Sequence, residues 1–213
     1  MIACCLFDLD GVIVDTARYH YLAWASLARE LGFEFTPEAG EATKGVSRMA
    51  SLEILLRRVP EEKREPLREV LEQDPRPSYQ DNPERVYGFG FAGMEVRFRA
   101  SNGVLTVLGS ASKNAGTILD RCGLRPLFDA VVDGTGVTHP KPDPEVFAKG
   151  AGAVGARPEN CVVFEDAAAG IEAAARAGMR SVGVGGSPLL AGASMQLKGF
   201  EGFTFEMLCR EID

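Results

Sequence analysis

Short, nearly continuous apolar runs recur along the chain at residues 2–7, 104–108, 161–164 and 180–184, with helix-like stretches between them. Runs of this length fit strands covered on both faces better than helices, and their alternation with helices predicts a parallel sheet. Residues 130–132 offer a shorter fifth candidate. Between the later runs the helix signals are clear: Asp143 can cap a start with Pro144 at the first helical position, and the Ala-rich stretch 167–177 stops at Gly178. The pattern is that of an α/β, doubly wound parallel (Rossmann-like) core sheet.

Residues 16–103 are too many for a simple crossover and predict an inserted module. A helix over 17–31 would set His20, Trp24, Leu27, Ala28 and Leu31 on one face, with Gly32 as its stop. Thr36 with Pro37 reads as the next start, and Ser47 caps a third helix through Arg58 that turns Leu52, Leu55 and Leu56 inward before Pro60 ends it. The expectation is an all-helical cap domain over 16–82, inserted into a core formed by 1–15 and 83–213, with hinges near Asp15 and the second crossing.

Composition narrows the function. The 213 residues carry 23 Lys+Arg against 30 Asp+Glu, a formal net charge of −7, which lacks the clustered cationic surface that a nucleic-acid partner would need. Hydrophobic residues at 46% and charged residues at 25% describe an ordinary globular chain able to bury a core. No run approaches the roughly 20 apolar residues that cross a bilayer, and residues 1–7 are too short and uncharged for a signal peptide. A cytoplasmic protein without a membrane partner is expected. Its five cysteines, an odd number without CxxC spacing, read as reduced, mostly buried thiols.

The first apolar run ends in Phe7-Asp8-Leu9-Asp10-Gly11-Val12. Period-two alternation turns Asp8 and Asp10 to one side, and Gly11 permits a sharp turn. Ligands of open α/β sheets bind beyond the carboxyl ends of strands, so both acids arrive where a site is expected. A plain turn or a fragment of a calcium loop would also contain this pattern, but Val12 and Val14 supply no further oxygen ligands for calcium.

FDLDGVIVDT resembles the first motif of the haloacid dehalogenase superfamily, and three partners follow in the expected order. Gly109-Ser110-Ala111-Ser112 closes the second run, Lys141-Pro142-Asp143-Pro144 precedes a helix, and Phe164-Glu165-Asp166 closes the fourth. The resemblance implies magnesium-dependent phosphoryl transfer. Asp8 would be nucleophile and metal ligand, and Asp10 general acid/base with its backbone carbonyl on the metal. Asp166 would be the second carboxylate ligand, and Glu165 would ligate directly or through water. Ser110, the Ala111 amide and Lys141 would hold the transferring phosphate. The chemistry is coherent: a carboxylate attacking an anionic phosphate faces repulsion that a divalent cation and fixed donors must offset. Each motif alone has a plainer reading, as turn hydroxyl, surface charge or helix-start acid; their joint occurrence favours the site.

Further stretches resemble the β-phosphoglucomutase branch: Tyr19-His20 and Trp24, Lys44-Gly45-Val46-Ser47-Arg48, Ser112-Lys113-Asn114, KPDPEVF and FEDAAAGIEAA. This resemblance implies interconversion of β-glucose 1-phosphate and glucose 6-phosphate through a bisphosphate. Arg48, with Gly45, Val46 and Ser47 around it, would meet the non-transferring phosphate, and Ser112, Lys113 and Asn114 would line the same pocket. Trp24 would border it, His20 would couple cap closure to proton transfer, and Thr16 would steady Asp10. A phosphatase with the same core is the rival, and a catalytically silent phosphosugar-binding protein a third reading. The expected partner is a small phosphorylated sugar, and the expected state a monomer.

Residues 66–102 do not follow the family pattern. The branch's cap lysine has no counterpart there, and Met94 to Arg99 alternate apolar and charged like a strand. Divergence and a local shift of reading frame between intact flanks both account for this. Fold constraint calls for a helix within 88–102 to cover the sheet.

Overall fold

The computed structural model describes residues 1–14, 17–44, 46, 48–72 and 103–212. Six strands form one sheet: β1 (Cys4–Phe7), β2 (Leu105–Gly109), β3 (Ala130–Val132), β4 (Cys161–Glu165), β5 (Arg180–Val184) and β6 (Met195–Leu197). Every pairing is parallel, in the order β3-β2-β1-β4-β5-β6. The chain reverses its direction of winding between β1 and β4, which is where such a sheet opens a crevice for a ligand. The register sets Phe7 opposite both Leu108 and Phe164, so β1, β2 and β4 end side by side.

Eight α-helices accompany the sheet among the described residues: α1 (Ala17–Glu30), α2 (Pro37–Ala42), α3 (Arg48–Leu56), α4 (Glu61–Glu72), α5 (Ala115–Arg121), α6 (Glu145–Ala153), α7 (Ala168–Arg176) and α8 (Phe205–Ile212). Alternation along the strands divides the core between two faces. Cys4, Leu6, Val107, Cys161 and Val163 pack with Val146, Phe147 and Ala151 of α6 and with Ala173 and Ala174 of α7. Cys5, Phe7, Val162, Phe164 and Val182 pack with Ile118 and Leu119 of α5, Leu208 and Ile212 of α8, and Phe200 and Phe203. Phe7 stacks on Phe164 at 4.7 Å, and Phe200 and Phe203 close on this pair at 6.3 Å each.

The C-terminal stretch departs from expectation. Read by pattern, residues 202–211 suggest a weak strand followed by a helix; the strand is instead Met195–Leu197, and the helix, α8, follows at Phe205. Three edge residues carry little alternation to read, whereas Phe200 and Phe203 are apolar because they cap the aromatic stack. The start of α6 also moves: Pro144 is its N-cap rather than its first helical residue, and the Asp143 carboxylate accepts the Glu145 N–H at 2.9 Å.

Helices α1–α4 enclose a core of their own from Trp24, Ala28, Phe35, Leu52, Leu55, Leu56 and Val59. Thr36 caps α2 by accepting from the Ala39 amide, as its position predicts. Gly32 ends α1 at φ +87° in a Schellman arrangement, the Phe33 N–H bonding to the Ala28 carbonyl at 3.0 Å. Helix α4 falls partly in the stretch that matched no pattern. Pro66 inside it removes one helical N–H, so tertiary bonds must compensate. Arg68 supplies them through two bonds to Glu53 of α3 at 2.7 and 3.0 Å, while Arg64 caps the end of α3 through the Val59 carbonyl at 2.9 Å. The expected helix within 88–102, the strand-like 94–99, the hinge at Asp15 and the 82/83 boundary lie outside the described residues.

Candidate active site

Asp8 leaves the end of β1 with its N–H on the Phe164 carbonyl at 3.0 Å, which prolongs the ladder by one bond. Leu9, Val12, Ile13 and Val14 are all fully buried and anchor the turn that follows. Val14 N–H bonds to the Leu9 carbonyl at 3.0 Å and Gly11 N–H to that of Val14 at 2.8 Å, fixing Asp8 and Asp10 at the sheet's carboxyl edge. The Asp10 N–H donates to Asp8 Oδ2 at 3.0 Å.

Lys141 arrives from the β3–α6 loop, and its side chain is completely buried. Its Nζ donates to Asp8 Oδ1 at 2.6 Å and to Glu165 Oε1 at 3.2 Å, and it sits 4.6 Å from the centre of the Phe147 ring. Glu165 Oε2 accepts the Asp166 N–H at 3.0 Å. Carboxylate oxygens of Asp8, Glu165 and Asp166 lie within 4.8 Å of one another.

Burial dominates the electrostatics. It raises the Asp8 carboxyl above its ordinary range, with Lys141 opposing and Asp10 adding to the rise. Glu165 is driven well up by burial, again against Lys141. Asp166 is pushed up to about 7 by burial and by Asp8, while Lys44 and Lys141 draw it down. For Lys141 burial acts downward, but Asp8 and Glu165 outweigh it and hold the ammonium charged.

Once ionised, these three carboxylates would outnumber the one ammonium by 3 − 1 = 2 negative charges in a buried space. That excess and the hard-oxygen donor set fit a divalent cation. Two glycines make room for the cluster. A Cβ on Gly11 would stand 2.1 Å from Asp166 Oδ2, and one on Gly170 of α7 would stand 1.6 Å from Glu165 Oε1.

Ser110 lies just past β2, the strand paired with β1, and is buried. Its Oγ accepts the Ser112 N–H at 3.1 Å, and Ser112 Oγ accepts the Asn114 N–H at 3.3 Å. Each hydroxyl thereby shapes the loop while keeping its own proton to donate. Ala111 is half-buried and Lys113 exposed; Asn114 stands at the N-cap of α5 without spending its side chain on the cap.

The structure thus brings together Asp8, Asp10, Lys141, Glu165 and Asp166, with the loop from Ser110 to Asn114 alongside. Trp24 goes elsewhere: at 4% exposure it belongs to the core of the helical module. His20 lies within α1, Arg48 opens α3, and Val46 is half-buried between α2 and α3. Thr16, Gly45 and Ser47 lie outside the described residues.

Three contributors had no role assigned from sequence. Lys44, which ion-pairs with Glu41 at 2.9 Å, is near enough to Asp166 to steady its charge. The KGVSR run contained this signal. Gly134 donates to the Ser112 carbonyl at 3.1 Å, and a Cβ there would meet the Ala111 carbonyl oxygen at 2.3 Å. A Gly two residues past the end of β3 was the available cue. Gly170 is hidden in an Ala-rich helix, where nothing local announces it.

Residues 2–178 match the model of the haloacid dehalogenase-like hydrolases, and the chain belongs to that family. It is a phosphoryl-transfer enzyme of the β-phosphoglucomutase-like kind, with phosphatases among its relatives. It is 36% identical over 214 residues to a β-phosphoglucomutase of Bacillus subtilis (strain 168), covering 97% of this chain and 93% of that one. A fructose-1-phosphate phosphatase of Escherichia coli (strain K12) is 33% identical, over 84% of this chain and 94% of the other. Among solved structures, a β-phosphoglucomutase from Clostridium difficile superposes with a TM-score of 0.81 at 33% identity, covering 100% of this chain and 97% of that one. The activity is therefore that of a phosphosugar mutase or phosphatase. No helix among the described residues is long and apolar enough to cross a membrane.

Proposed function

We propose that the protein is a magnesium-dependent mutase that interconverts β-glucose 1-phosphate and glucose 6-phosphate through an aspartyl phosphate on Asp8 and a sugar bisphosphate. The observation that carries this reading is likeness along nearly the whole chain to β-phosphoglucomutases, in sequence and in fold. The phosphatase reading is supported by the match to the Escherichia coli enzyme, which is lower in identity and covers less of this chain.

Asp8, Glu165 and Asp166, with the Asp10 backbone carbonyl, would hold the Mg2+, which when bound supplies the positive charge that lets two anions meet. Asp8 attacks phosphorus as the carboxylate, and Lys141 opposes the effect of burial on its ionisation. Ser110 Oγ–H, the Ala111 amide and the Lys141 ammonium hold the equatorial oxygens of the phosphoryl group. Asp10 gives its proton to the leaving sugar oxygen and later takes one from the hydroxyl that attacks the aspartyl phosphate. In the mutase the acceptor is the other end of the sugar, so Arg48 and the segment from Gly45 to Ser47 bind the distal phosphate. The inserted residues 16–82, which include helices α1–α4, act as a cap that excludes water, with His20 and Thr16 linking closure to Asp10.

The test is one assay with two readouts: β-glucose 1-phosphate, Mg2+ and a trace of the bisphosphate, followed for glucose 6-phosphate and for inorganic phosphate. Isomerisation without phosphate loss supports the mutase. Phosphate release alone replaces it with the phosphatase, and neither product leaves a silent binding protein. Asp8→Asn should lower either rate by at least about 10³-fold, the scale set by loss of a nucleophile.

A further inference from the structure

Lys141 is completely buried, yet the loop that delivers it, residues 133–144, is held by little apolar packing. Of residues 135–140, Val137 packs against the core and the other five are exposed. Hydrophobic burial cannot fix such a segment, so its backbone must be tied by polar groups.

Asp133 holds Thr135 through its amide at 2.9 Å, and the stretch next to Lys141 is tied by one side chain. Glu145 Oε2, on the first turn of α6, accepts the backbone N–H of Thr138 at 2.9 Å and of His139 at 2.7 Å. Glu145 Oε1 receives the Lys149 ammonium at 2.5 Å, one helical turn on, and the same ammonium donates to the Gly136 carbonyl at 2.9 Å. Asp143 Oδ1 holds the Glu145 amide, which sets where α6 begins. The far side of that turn carries Phe147, whose ring lies under the Lys141 ammonium. His139, Asp143 and Glu145 could together be mistaken for a metal site. The Glu145 oxygens are already engaged by two amides and an ammonium, which describes a clamp.

We propose that Glu145 is a positioning residue for phosphoryl transfer: by gripping the amides of Thr138 and His139 it fixes where Lys141 enters the carboxylate cluster. Lys141 lies only two and three positions beyond the gripped amides of His139 and Thr138, so slack in the clamp is passed on to Nζ. The kinetic part of this inference rests on the phosphoryl-transfer reading; the placement of Lys141 does not.

The experiment compares wild type, Glu145→Ala and Glu145→Gln in the full chain. The first readout is acetic anhydride labelling of Lys141, mapped by mass spectrometry; the second is Mg2+-dependent hydrolysis of p-nitrophenyl phosphate. Glu145→Ala should keep its far-ultraviolet circular dichroism, label Lys141 about 10-fold faster, and lose about 10- to 100-fold in kcat with KM within about 3-fold, as a misplaced group does. Glu145→Gln, whose amide oxygen still accepts the two N–H groups, should recover most of both readouts. Wild-type labelling in Glu145→Ala overturns the proposal, as does equal impairment of the Ala and Gln variants. If the wild type does not hydrolyse this ester, kcat and KM are read from isomerisation of β-glucose 1-phosphate; if it turns over neither, the functional reading fails and the labelling alone decides the placement of Lys141.

Discussion

Lys141 is the buried cation that stands between Asp8 and Glu165, so its removal shows what the pair of bonds at 2.6 and 3.2 Å contributes. Lys141→Met keeps the stem against Phe147 and deletes the charge, leaving two buried carboxylates without their partner. Breaking a buried ion pair in this way costs about 3–5 kcal/mol while the stranded acids remain ionised. They escape by taking up protons, which their raised affinities already favour. The variant should therefore melt lower than wild type without metal at about pH 8 and approach it at about pH 5. Turnover should fall by at least about 10²-fold at both values through loss of a charged donor to the phosphoryl oxygens. A melting deficit independent of pH, measured by calorimetry in a chelator, would show that packing rather than charge is what Lys141 provides.

Secondary elements differ in how plainly the sequence announces them, and the difference is physical. Strands β1, β2, β4 and β5 are apolar along their length because helices cover both faces, and each was legible within one or two residues. Strand β6 pairs on one side only, is three residues long, and escaped notice. Helix α4 was hidden by Pro66, since local propensity cannot register the Arg68–Glu53 bonds that stabilise it from outside. Site motifs at strand ends were readable because chemistry constrains them directly, whereas Gly170 matters only through the Glu165 side chain it admits. Gly170→Ala tests that element-level fit. Alanine ordinarily favours a helix by about 1 kcal/mol over glycine, yet here its Cβ must expel Glu165. The expected outcome is intact helicity with Mg2+ affinity at least about 10-fold weaker by calorimetric titration, the range seen when the surroundings of a metal site are disturbed. The C-terminal segment makes a second test. Phe200, 3% exposed and packed on Phe7 and Phe164, should cost about 3–5 kcal/mol as Phe200→Ala in urea unfolding, the usual loss for a large buried ring. A loss below about 1 kcal/mol would mean that this stretch merely lies on the sheet and does not complete its core.

The molecule gathers Asp8, Glu165 and Asp166 in one buried cluster at the carboxyl edge of its sheet, and this links its stability to pH in a definite direction. Asp166 titrates at about 7 in the folded state. An unfolded aspartate titrates near 3.9. Between those values the folded chain holds a proton that the unfolded chain has released, so stability must fall as pH rises through the interval and level off above about 7. Asp8 and Glu165 are shifted in the same direction and reinforce the trend. Glu145 acts oppositely, since its bonds to Lys149 and the loop amides hold its carboxyl down to about 2. Its contribution is present above the ordinary glutamate range and disappears as pH falls toward 2, so the two windows scarcely overlap. In a chelator the melting temperature should therefore peak near about pH 4–5 and decline toward about pH 7. A divalent cation replaces the protons and should reverse the decline, because its stabilisation grows as RT ln(1 + [L]/Kd) while proton competition for the carboxylates fades. The rise in melting temperature on adding Mg2+ should then be larger at about pH 8 than at about pH 5.5. Scanning calorimetry at both values, with and without the ion, measures the difference. An Mg2+ shift that is the same at both would mean that Asp8, Glu165 and Asp166 are not the ligands, and a chelator profile flat between about pH 4 and 7 would mean that the cluster's charge is neutralised by other means.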